Sequence, residues 1–248
     1  VSKGGVVAGD ELPKYFGLAV IADLSDRDVV VNELTTVGSL WPVAAMFDSS
    51  LQIKGSAVGL KIGSMHTKNL VKVNTGEFGG LVTNGDNLTF HETVSRMNVL
   101  AALMSTCAKQ EMEKACNRLL TINNSNNTLE SLANIAKSPY LEPKALYKLF
   151  VESFPYPEKS ELRPTSFKPY LEWEPKDFAL IVRITGGGIY SAGRMMFDNR
   201  GQLWSGQNWM PGTQANLAHS IGGGVVRLDH QGTPVSPALS GYNRQGLD

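Results

Sequence analysis

The chain is poor in the residues of redox and metal chemistry, with 2 cysteines and 4 histidines among 248 residues. His66, His91, His219 and His230 share no HxH or HxxxH spacing, and two cysteines without a matching histidine pair are too few for zinc. No metal and no cofactor is expected, and each histidine reads as a surface or loop residue. An excess of one charge is also missing: Lys plus Arg is 23 and Asp plus Glu is 23. A dedicated nucleic-acid surface normally shows as a basic excess, so nucleic acid is excluded as a partner. No apolar run approaches the roughly 18 residues of a membrane helix, so no membrane span is expected. Val1 is preceded by no initiator methionine and begins no basic-then-apolar leader, which suggests a chain processed or cut from a longer one. Catalytic signatures are lacking too. Ser160, Ser166 and Ser205 have no GxSxG context. Gly186–Gly188 and Gly222–Gly224 fit neither phosphate-loop spacing and read as turns.

Two further absences divide the chain. Beyond Lys176 there is no Lys and no Glu, whereas 13 of the 25 glycines lie from Gly186 onward. Lys and Glu favour helices and Gly favours turns. An α+β multidomain chain follows: a mainly helical part first, then short strands joined by turns.

Residues 16–22 and 24–31 read as two β segments around the polar turn Ser25–Asp28, with Val29, Val30 and Val31 β-branched. Two strands alone are marginal in water. Residues 1–31 are therefore expected to be the C-terminal remnant of a β domain. From Asn32 the period becomes helical. Asn32 suits an N-cap, Glu33 the first turn, and Pro42 a kink or split. A second helix is expected over Ser56–Leu70. Thr89 and Glu92 have capping-box spacing, followed by an apolar stripe of Phe90, Val94, Met97, Leu100, Ala101, Met104 and Ala108. Residues 121–127 read as a loop, and Leu129–Ala136 and Pro143–Phe150 as short helices. The domains expected are thus 1–31, a helical domain over 32–154, an extended Pro-rich linker over 155–175, and a β region over 176–248.

Cys107 and Cys116 are left with two readings. An unbroken helix would hold them about 13 Å apart along its axis. A disulfide needs Cα atoms within about 7 Å, so a bridge requires a break near Lys109–Lys114. The alternative is a pair of separate buried thiols. Glu172, Glu174 and Asp177 alternate with Trp173 and Pro175 in the manner of a solvated linker. Asn87, Asn123 and Asn126 head glycosylation triplets. Trp204 and Trp209 are either ligand platforms or packing residues, and Trp204 reads as packing.

Two C-terminal segments share one plan: apolar strand, aspartate, glycine three residues later, strand. Phe197-Asp198-x-x-Gly201-x-Leu203-Trp204 resembles the repeat signature of NHL-type and streptogramin-lyase-like β-propellers, with Gln202 where the family usually has Asn. Gly222–Asp229, then Gly232–Val235, is similar to the second hairpin of such a blade. Asn32–Thr36 opening a helical region and Thr185–Gly188 before the first blade are similar to bacterial secreted proteins in which a β domain and a helical region precede a propeller. The resemblance implies that Phe197, Asp198, Gly201, Leu203, Trp204, Asp229 and Gly232 are structural blade residues. It implies the first blade of an incomplete propeller, because one blade cannot close a ring. The alternative is a small sheet packed on the helical region. The related lyases use histidine and a divalent metal, but on blades this chain lacks, so no catalytic residue carries over. The expected function is a non-catalytic secreted or cell-envelope protein (extracellular or periplasmic) whose propeller binds a protein or glycan ligand, with self-assembly through the helical domain a further reading. The alternative is a lyase- or lactonase-type propeller enzyme.

Overall fold

A computed structural model describes residues 2–7, 10–48, 52–189, 192–207, 224–238 and 241–242, and side chains from residue 13 onward. The chain is of mixed helix and sheet. It forms two compact units, Val1–Gly55 with Thr67–Val182, and Ser56–His66 with Arg183–Asp248.

The first unit opens on an antiparallel hairpin, β1 (Ser2–Val7) and β2 (Asp10–Leu18). The strand expected over 24–31 does not form. Beyond β2 the backbone runs beside helix α1 (Glu33–Leu40) and bonds to its hydroxyls instead: Ala19 N–H donates to Thr36 Oγ1 at 3.1 Å and Ile21 N–H to Ser39 Oγ at 2.9 Å. The stretch expected as a β remnant over 1–31 thus falls in the same compact unit as the helices. α1 starts at Asn32 in a reciprocal capping box: Thr35 N–H donates to Asn32 Oδ1 at 2.8 Å, and Asn32 N–H to Thr35 Oγ1 at 2.9 Å. Pro42 then converts the chain to a 3₁₀ turn over Trp41–Met46.

Helix α2 (Ala57–Leu70) leads to a two-strand ladder, β3 (Val71–Lys72) with β4 (Glu77–Phe78). The capping box expected at Thr89 and Glu92 is absent. Asn84 takes the cap instead, accepting Asn87 N–H at 2.8 Å, and starts the short helix α3 (Gly85–Phe90). Thr89 lies inside α3, where its hydroxyl donates to Gly85 O at 2.7 Å. His91 is extended, and a new helix, α4 (Thr93–Ser105), begins after Glu92 with no side-chain cap. Phe90 consequently leaves the apolar stripe and is exposed.

α4 is the centre of the unit. Val94, Met97, Val99, Leu100, Ala101, Ala102, Leu103 and Met104 are all buried, so the helix is enclosed on every side from Met97 onward. It ends where Ser105 and Thr106 turn their hydroxyls back onto Ala102 O and Leu103 O, competing with the backbone ladder. Two 3₁₀ turns, Thr106–Ala108 and Gln110–Met112, flank an extended Lys109. That break brings Cys107 and Cys116 to a Cα separation of 4.7 Å, and they are disulfide-bonded. α5 (Glu113–Ile122) therefore runs into the segment expected as loop. α6 (Thr128–Lys137), capped by Asn127, and α7 (Pro143–Ser153) complete the helices.

Over 155–175, where an extended linker is expected, residues 155–162 are exposed and Arg163, Thr165, Tyr170 and Leu171 buried, so a packed segment runs from 163 to 182. Phe154, Tyr170, Leu171 and Phe178 are buried in the core. The segment forms no helix or strand, so α4 satisfies its backbone with side chains. Asn98 Nδ2 donates to Pro169 O at 2.7 Å, Arg96 donates to Ala179 O at 2.7 Å, and Thr93 Oγ1 bonds both O and N–H of Ile181. Arg163 closes α7, donating to Phe154 O at 2.8 Å while stacking 4.0 Å from the Tyr156 ring. The boundary between units falls at Val182 rather than at Lys176.

The second unit holds a three-stranded antiparallel sheet ordered β5 (Ala192–Phe197), β6 (Leu203–Gln207), β7 (Val225–Leu228). Beyond β7 the backbone adds two single bridges, Leu228 with Pro234 and Val225 with Tyr242. None of the helices among the described residues is long and apolar enough to cross a membrane.

Candidate functional site

The two Asp-x-x-Gly segments fold into the same turn. In the first, Asp198 Oδ1 accepts from Arg200 N–H at 2.8 Å and Gln202 N–H at 2.9 Å; Asp198 N–H donates to Gln202 O, and Gly201 N–H to Asp198 O. In the second, Asp229 Oδ1 accepts from Gln231 N–H at 2.9 Å and Thr233 N–H at 2.8 Å; Asp229 N–H donates to Thr233 O, and Gly232 N–H to Asp229 O. Each turn needs a residue in the left-handed region, and Gly201 (φ 75°) and Gly232 (φ 85°) supply it. A side chain would also have no room. An added Cβ would lie 2.9 Å from Ile62 Cδ1 at Gly201 and 2.5 Å from Ile184 Cδ1 at Gly232.

One difference separates the turns. Asp198 Oδ2 also accepts from Trp204 Nε1 at 3.0 Å. That indole bond, with the amides of Gln202 and Arg200, holds the Asp198 carboxyl below its ordinary value. Trp204 is half-buried, stacked on Tyr242 with centroids 6.0 Å apart and covered by the Arg227 guanidinium at 5.4 Å.

Register sorts the sheet into two faces. Phe197, Leu203 and Leu228 stand in one row, with Met195, Ser205 and Val226 beside them; Met196, Trp204 and Arg227 stand on the other face. Cover is complete at β7, where Val226 and Leu228 are buried, and fails at β5. Met196 is 74 % exposed on one face and Phe197 67 % on the other. Beyond Arg194, β5 is thus apolar on both faces, yet among the described residues its outer edge has no strand partner.

The remaining candidates are dispersed. Gly186, Gly187 and Gly188 all have positive φ in a turn that bonds Gly188 N–H to Ala238 O. Burial and His230 push the His66 imidazole below its ordinary value, against the raising effect of Asp229. Glu172, Glu174 and Asp177 do not converge. Glu172 accepts from Tyr156 Oη at 2.5 Å, Glu174 pairs with Lys144 at 3.4 Å, and Asp177 with Arg96 at 2.9 Å. Ser205 is buried and donates to Gly206 O, and Ser160 bonds to Leu162. Asn87 is 1 % exposed with its amide bonded to Leu81 O, which removes it as a glycosylation acceptor. The Asn123 amide is held by Leu119 O and Ser131 Oγ, while Asn126 is exposed. No group of three or more His, Cys, Asp or Glu is placed to hold a metal among the described residues. Trp209, His219, Gly222 and Gly223 lie outside the described residues.

The sequence reading misses one feature altogether. A cleft of about 550 Å³ opens in the helical unit between the α3–α4 junction and the packed segment. Its walls include Phe90, His91, Glu92 and Ser95 on one side and Glu172 and Trp173 on the other. The signal for it was the break after Phe90, obscured by the apparent capping box, and a tryptophan standing among charges. Comparison of the chain with protein-family models, with curated proteins and with solved structures gives no match.

Proposed function

We propose that the second unit is one sector of a repeating β array of propeller type, and that the protein is a non-catalytic recognition scaffold of the cell envelope or extracellular space. The observation that carries the reading is the pair of equivalent Asp-x-x-Gly turns next to a strand, β5, that exposes Met196 on one face and Phe197 on the other and has no strand partner on its outer edge among the described residues. Equivalent turns are what a repeat produces, and neighbouring sectors are what covers a strand of that composition. The non-catalytic part rests on chemistry. Asp198 and Asp229 spend their lone pairs on turn amides, and the carboxylates of the packed segment each have a separate partner.

The encoding gene tests the repeat reading. Further Asp-x-x-Gly segments followed by Leu-Trp or Pro-Val, on either side of the region coding for Val1 to Asp248, support it. A gene without any overturns it.

A further inference from the structure

We infer that the cleft between the α3–α4 junction and the packed segment binds a neutral saccharide chain. Its volume of about 550 Å³ lies in the range of small-molecule sites, roughly 300–1,000 Å³. The cleft lies wholly in the helical unit, so the inference goes beyond the reading of the sheet, and each can fail without the other.

Aromatic surface comes first. Phe90 is 62 % exposed and Trp173 64 %, and both line the cleft. Large aromatic side chains normally bury their area, and the Trp173 ring exposed on a concavity forms an apolar platform. Hydrogen-bonding capacity decides the class of ligand. His91 and Ser95 make no side-chain hydrogen bond among the described residues, and neither does the Trp173 indole N–H. Glu92 has only the Arg96 guanidinium, at 4.0 Å, and Glu172 accepts a single Tyr156 hydroxyl. The site therefore offers donors from Trp173, acceptors from Glu92 and Glu172, and groups that do both from His91 and Ser95.

Each alternative class leaves part of that set unmatched. A cation brings donors alone and nothing for the indole N–H. An anion must approach Glu92 and Glu172, while the Arg96 charge is already held by Asp177 at 2.9 Å. A wholly apolar ligand would strip water from His91, Glu92 and Ser95 and replace none of it. A sugar ring brings hydroxyls that donate and accept together with a C–H face that lies on an aromatic ring.

Calorimetric titration with cellohexaose, maltohexaose, chitohexaose and, as the cationic arm, spermidine is the experiment. At least one oligosaccharide should bind saturably, and the preference among them separates a plain glucan from an N-acetylated chain. Trp173→Ala should weaken that binding about tenfold or more, and Trp173→Phe should restore most of it. Tyr140→Ala removes another exposed aromatic outside the cleft and should leave affinity unchanged. Trp173 is exposed, so its variants should keep the wild-type far-ultraviolet dichroism and melting temperature. Binding of none of the oligosaccharides, binding of spermidine alone, or a sugar affinity indifferent to Trp173→Ala would each overturn the inference.

Discussion

At the scale of single residues, the two turns rest on one carboxylate and one glycine each. Gly201 and Gly232 hold positive φ with an isoleucine side chain against them. A non-glycine residue in the left-handed region costs about 1–2 kcal/mol before any clash is counted. Gly201→Ala and Gly232→Ala should therefore each lower stability by about 1–3 kcal/mol in urea titrations followed by Trp fluorescence. Asp198 adds a pH dependence. Its carboxyl is held below the ordinary value of 3.8, first by the Trp204 indole and then by the amides of Gln202 and Arg200. A group depressed in the folded state contributes stability that is complete above its unfolded value and lost as pH falls through the folded one. The stability difference between wild type and Asp198→Asn should hold steady above about pH 5 and shrink as the pH falls through 4 and lower. A difference that grows on acidification would show that the carboxylate is not the stabilising form.

At the scale of elements, caps decided where helices begin. Asn32 and Thr35 exchange side-chain bonds, and Asn32 Nδ2 also reaches Gly76 O at 3.1 Å, so Asn32→Ala should cost about 1–2 kcal/mol by thermal melting. Thr89→Ala should cost less than about 0.5 kcal/mol, because Thr89 caps nothing and is exposed. The comparison separates what the residues disclose from what they hide. Asn32, Pro42 and Pro143 act locally, and their elements were legible. The Thr89–Glu92 spacing was misleading because Asn84, five residues earlier, wins the competition to start a helix. The break between Cys107 and Cys116 was illegible for a related reason: hydroxyls of Ser105 and Thr106, rather than glycine or proline, end α4. The packing of residues 169–181 was illegible because their partners, Thr93, Arg96 and Asn98, sit on a helix some 70–90 residues earlier. Long-range satisfaction of that kind leaves no local pattern. The same blindness hid the cleft, whose two walls are equally distant in sequence.

At the scale of the whole molecule, charge balance and an uncovered strand combine. The net charge is zero with an isoelectric point near 7.1, so no electrostatic repulsion holds copies apart at neutral pH. β5 meanwhile exposes Met195, Met196 and Phe197 in succession beside an edge that has no strand partner among the described residues, the arrangement that natural sheets blunt with lysine or proline. Beyond Lys176 there is no lysine to do so. The chain by itself should therefore associate as concentration rises, most strongly near pH 7. Met196→Lys places a charge on the exposed face of β5, where it displaces no packing. By light scattering the variant should keep the monomer mass at concentrations where wild type grows, and by calorimetry it should melt within about 2 °C of wild type. If wild type remains monomeric throughout, or if Met196→Lys lowers the melting temperature substantially, then β5 is already covered in solution and the unpaired edge has no partner to seek.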